Sequence, residues 1–217
     1  MTIVLLSITE NEVLNMYKKV QSLPLYLKSI IITNICYYGL LIPAALIYPG
    51  YSPITHTVSS LGNTYKNPAW YLFSISLIFM GYALLPFIWD LRKWYSDQPA
   101  VKKYIIPIIA IGFFNSFALI MIAIHPTNIF STSHNFWSLV NFICIELVIL
   151  LAVIGLRNHP AYDNRISIIA GFDFVFCFVY LQLLHKVDWA PTLEWLTFIF
   201  ILTYLLILGR QMYKANL

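Results

Sequence analysis

The sequence predicts an all-α polytopic membrane protein: six transmembrane helices in one bundle, preceded by an N-terminal interfacial helix. Composition points there first. The chain is 60% hydrophobic and only 10% charged, where a soluble domain carries roughly 25% charge. Segment length points there next. Apolar runs fill residues 29–48, 69–89, 104–124, 135–156, 166–184 and 192–209, and a bilayer core needs about 20 apolar residues per helix. Helices satisfy their own backbone in hydrocarbon, whereas open strands would expose polar edges to it. The third observation is the sidedness of the charge. Eleven of the thirteen basic residues fall before the first run or after the even-numbered ones, leaving only Lys66 and Lys186 in the alternate connections.

Each segment has its own warrant. Residues 1–28 do not read as a signal peptide, because the first apolar run is short and Glu10 and Glu12 follow it. Residues 11–22 set Val13, Leu14, Met16, Tyr17 and Val20 beside Lys18 and Lys19, which suits a helix lying on the membrane surface. Three units follow: the N-terminal segment 1–28, the six-helix domain 29–209 and a tail 210–217. The first span holds Pro43, the second Pro86 and the third Pro107. Each proline frees a carbonyl that a neighbour has to satisfy. Gly39, Gly81, Gly112 and Gly171 are places where helices could approach closely. Tyrosines and tryptophans near the span ends, Tyr48, Trp94 and Trp195 among them, suit the interfacial belts. Cys36, Cys144 and Cys177 lie inside spans, so no disulfide framework is implied.

By the positive-inside rule both termini and the even connections face the cytoplasm of a plasma-membrane protein. The net charge of +4 follows from that topology and calls for no nucleic-acid partner. Four of the five histidines then sit on the opposite, outward face: His56, His125, His134 and His185. His56 and Ser59 are three residues apart, with Ser60 beside them. His134 opens the fourth span, with Ser138 and Asn141 below it at helical spacing. Glu194 stands in the first turn of the last span. Imidazoles with a carboxylate can hold a zinc-like divalent metal, or can supply an acid, a base and an oriented hydroxyl. The competing reading is that interfacial histidines merely solvate helix ends. A second polar group is buried: Asn115 in the third span, Asn141 and Glu146 in the fourth and Asp173 in the fifth. A carboxyl there costs about 2.5–3.5 kcal/mol on insertion scales. Glu146 and Asp173 should therefore point into the bundle, neutral or hydrogen-bonded, as interhelical glue or as part of a proton or cation path.

The stretch His-Thr-Val-Ser-Ser-Leu-Gly at 56–62, His125-Pro126 before His134, and Glu194 near the start of the last span resemble the motifs of a prokaryotic six-span family. That family is domain of unknown function 998, distantly like the damage-regulated autophagy modulator group. Ser60 stands where an acidic residue is common in it, and Trp195 where a basic one is. The resemblance implies the six-span topology and an outward site, and no particular reaction. The leading function is recognition of a lipid head group or small outer-leaflet ligand by His56, Ser59, His134 and Glu194. One alternative is a membrane-embedded, metal-dependent hydrolase using the same residues, with His56, His134 and Glu194 as ligands. Another is a structural subunit that meets a membrane-protein partner or a second copy of itself.

Overall fold

A computed structural model describes residues 18, 20–95, 99–184 and 186–215. Six helices are long and apolar enough to cross a membrane: α1 (Leu25–Ile47), α2 (Trp70–Asp90), α3 (Lys102–Ile124), α4 (Ser131–Leu156), α5 (Ile166–Leu183) and α6 (Ala190–Lys214). No strand occurs among the described residues. The interfacial helix expected over 11–22 falls almost wholly outside the described residues, as does His185.

Local chemistry sets the helix ends. Pro24 precedes α1 with extended backbone. Beyond Tyr48, Pro49 cannot continue the helix, and Gly50 turns the chain at φ 73°. Asn67 opens α2: its side-chain oxygen accepts from the Ala69 amide at 3.0 Å, and its amide group donates to the Leu61 carbonyl at 2.7 Å. Pro191 sits in the first turn of α6, where a missing N–H costs nothing. α6 continues past the expected end at residue 209 to Lys214. Its last turns bury Met212 while Arg210 and Lys214 stay exposed, so packing carries the helix beyond the apolar run.

Neighbouring helices pack in chain order, and α6 closes the ring against α1. The α4–α5 pair is the exception, touching far less than the other consecutive pairs. α6 is the most buried helix, and α1 and α5 are the least. Gly81 lets α2 and α3 approach closely, since a Cβ there would meet the Ser116 carbonyl at 2.9 Å. Gly39 and Gly171, in contrast, face open space. In the turn before Pro86, the Ser29 hydroxyl of α1 donates to the Ala83 carbonyl, so a side chain of the neighbouring helix bonds the backbone there. Trp94 corrects its sequence assignment. It is fully buried, edge-on to His159 at 4.8 Å between ring centres, and serves the core rather than an interfacial belt.

Candidate functional site

The long connection between α1 and α2 is folded, not slack. A short 3-10 turn, Val58–Gly62, sits at its centre. Thr57 starts it, its hydroxyl oxygen accepting from the Ser60 amide at 3.2 Å. Val58, Leu61 and Gly62 are buried against the bundle, which leaves Ser59 and Ser60 half-buried. Gly62 is required by that contact, because a Cβ there would come within 2.6 Å of the Phe73 ring.

Fasteners from both sides hold this segment. The Glu194 carboxylate of α6 accepts from the Val58 amide at 2.8 Å, and the Tyr180 hydroxyl of α5 also bonds to it. The Tyr51 hydroxyl donates toward the His56 and Thr57 carbonyls at 3.3 and 3.2 Å and accepts from the Trp195 indole at 3.0 Å. Burial pushes the Tyr51 phenol well above its ordinary range, so it remains a donor at neutral pH. Thr64 and Asn128 exchange two hydrogen bonds, at 3.0 and 2.9 Å. These last join the first connection to the one between α3 and α4.

Beneath this roof lies a pocket of about 440 Å³. His56, Ser59, His134 and Glu194 all line it, together with Ser60, Lys66, Ser138 and Tyr180. Residues from four separate stretches of chain therefore converge at one end of the bundle. His56 is half-buried against the Tyr48 and Tyr51 rings, and its Nδ1 lies 3.0 Å from the Thr55 hydroxyl. His134 is buried. Its Nδ1–H donates to the His125 carbonyl at 2.7 Å, while Nε2 is shielded from solvent and makes no hydrogen bond. His125 turns back on its own helix, 2.6 Å from the Met121 carbonyl. Ser59 pairs with the Thr57 hydroxyl at 3.1 Å, and no hydrogen bond links it to an imidazole among the described residues. Among those residues no three His, Cys, Asp or Glu side chains gather as a metal-ligand set. Glu194 is already engaged by Val58 and Tyr180, which explains why it does not join His56 and His134.

The buried polar residues meet expectation in part. Asp173 is fully buried near Glu146, and its carboxyl has no hydrogen-bond partner among the described residues. Glu146 meets the Cys177 thiol of α5, a weak bond that joins two helices. Glu146 is half-buried in a lateral groove between α4 and α5. Asn115, its side-chain oxygen unpartnered, lines a central cavity of about 30 Å³. Asn141 lines one of about 20 Å³ below Glu194.

Sequence reasoning missed Tyr180 and Tyr51. Tyr180 is the lone tyrosine of the fifth span, and a buried phenol usually seeks a partner, so a signal was present. Nothing in the pattern pointed to Tyr51. Of the two residues that depart from the family motif, Ser60 bonds the Thr57 hydroxyl at 2.8 Å and Trp195 bonds Tyr51.

Six apolar helices with polar side chains gathered at one end define a multi-pass membrane protein. The match that places it covers residues 31–211: the chain belongs to the family described as Protein of unknown function (DUF998). No curated protein and no solved structure matches the chain.

Proposed function

We propose that this is a plasma-membrane protein with both termini in the cytoplasm, whose outward pocket binds the phosphate-bearing head group of a membrane lipid. One observation carries the reading: His56, Ser59, His134 and Glu194 line a single pocket at the helix ends. Interfacial histidines that only solvated helix ends would ring the bundle instead. The charge asymmetry turns this end outward. With Glu194 occupied by the Val58 amide and Tyr180, the remaining lining still offers donors: the Ser138 hydroxyl, the His56 imidazole, the Lys66 ammonium and whichever of the Ser59 and Ser60 hydroxyls is not donating to Thr57. Such a set favours an anionic acceptor such as phosphate, with Lys66 acting as a point charge at the rim.

Hydrolysis is the weaker reading. A serine nucleophile requires a base within hydrogen-bond reach, and Ser59 is paired with Thr57 instead. Soluble glycerophosphoglycerol is a suitable probe. Binding to the purified protein should weaken about tenfold in Lys66→Ala and in His56→Ala, the scale of losing one charge-assisted hydrogen bond. Both variants should melt like the parent protein. Unchanged affinity in both would remove the pocket as a head-group site.

A further inference from the structure

The polar pocket is not closed on the side of α5. Phe142 and Leu181 belong to its lining and also to that of a second hollow, about 190 Å³, between α4 and α5. The second hollow is apolar apart from Glu146, whose oxygens are tucked inward. On α4 its stripe is Phe142, Ile143 and Glu146, continued toward the helix start by Leu139 of the polar pocket; on α5 it is Phe174, Cys177, Phe178 and Leu181. Both stripes run at the three-and-four spacing by which helices ordinarily interdigitate. Here they meet at few points, Phe142 against the Tyr180 ring and Glu146 against Cys177 among them, and leave the hollow open between. Ile143, Phe174 and Phe178 are each about half exposed, at 49%, 49% and 58%. A rise of 1.5 Å per residue carries the α4 stripe about 10 Å down from Leu139 toward the middle of the span.

We infer that this groove holds one acyl chain of the phospholipid whose head group occupies the polar pocket, the lipid entering sideways from the bilayer between α4 and α5. The inference rests on the head-group reading. An occupant must be polar at one end and apolar beyond Phe142 and Leu181, and it must arrive through hydrocarbon. A membrane phospholipid meets all three conditions. A partner helix would cover the groove but would leave the polar pocket unfilled.

The test uses the whole protein in vesicles of phosphatidylethanolamine and phosphatidylglycerol, with a phosphatidylglycerol that carries a photoactivatable group in one acyl chain. Cross-links should concentrate on Ile143, Phe174 and Phe178 rather than on lipid-facing residues elsewhere, such as Phe114. Ile143→Trp should fill the groove and cut the yield there about tenfold, as expected when chain methylenes are turned out of an apolar site. Glycerophosphoglycerol binding should be unaffected. Phe178→Trp, at another exposed position, should do the same. Cross-links spread evenly around the six helices, or a yield indifferent to both tryptophans, would overturn the groove. If the cross-link stays local and tryptophan-sensitive but glycerophosphoglycerol does not compete with it, the groove stands and the head-group pocket falls.

Discussion

Replacing Glu194 by Leu should loosen the roof of the pocket while leaving the six helices in place. The carboxylate accepts from the Val58 amide at 2.8 Å, and both residues are buried. Leucine offers no acceptor, and a buried donor left without one costs about 1–3 kcal/mol. The Tyr180 hydroxyl loses its partner too. Within a membrane bundle that loss averages about 0.6 kcal/mol, since the unfolded chain also finds partners. Together the penalty is about 2–4 kcal/mol by those figures. It falls mainly on the turn Val58–Gly62, which the amide bond ties to α6. Hydrogen–deuterium exchange read by mass spectrometry suits the case. A penalty of about 2 kcal/mol should speed exchange across residues 57–62 about 30-fold, with the α2 and α3 peptides unchanged. Glu194→Gln keeps an oxygen for Val58 and should cost less than about 1 kcal/mol. If the leucine variant exchanges like the parent, the bond does not hold the roof. If glutamine is as damaging as leucine, the negative charge matters and not merely the acceptor.

Three further outcomes follow from the same geometry. Gly62→Ala drives a methyl group into the Phe73 ring and should cost about 1–3 kcal/mol, read as a lowered melting temperature that Phe73→Leu restores; failure of that rescue would show that the contact is not the cause. Glu146→Leu should be close to neutral, because all it loses is a weak bond with the Cys177 thiol while a buried carboxyl is removed from the apolar groove; a marked loss in thermal stability would mean that the carboxyl contributes more to the fold than that bond. A cysteine placed at Ser131 should react with an impermeant maleimide on intact cells, and one at Ser96 should not; the reverse would turn the pocket to the cytoplasm.

The helices were legible because a bilayer imposes long apolar runs, and no other element competes for them. Their bounds hold to within a few residues, except where packing extends α6 past Gly209. The site was legible as a shared membrane side: His56, Ser59, His134 and Glu194 do line one pocket. Its wiring was not. Glu194 bonds a backbone amide 136 residues away, and every residue type except proline carries such an amide, so nothing in the pattern marks Val58. Reading acid and imidazoles as a common ligand set missed that the acid was already taken. The expectation of a donor held for Glu146, which meets the Cys177 thiol, and not for Asp173. Periodicity puts a carboxyl on a face, but whether a donor stands opposite depends on which side chain the facing helix presents there.

The roof segment is stitched at Tyr51, Val58 and Thr64, each to a different partner. Stitches fix residue counts. An inserted residue between 58 and 64 would bring one fastener out of step with the other, so the chain length there is as constrained as the side chains. Even the exposed tip at residues 53–55 is counted, since the Thr55 and His56 amides both donate to the Ser52 carbonyl, at 3.1 and 2.8 Å. A tag grafted there would have to keep that turn intact, because it is the turn that carries His56 to the pocket.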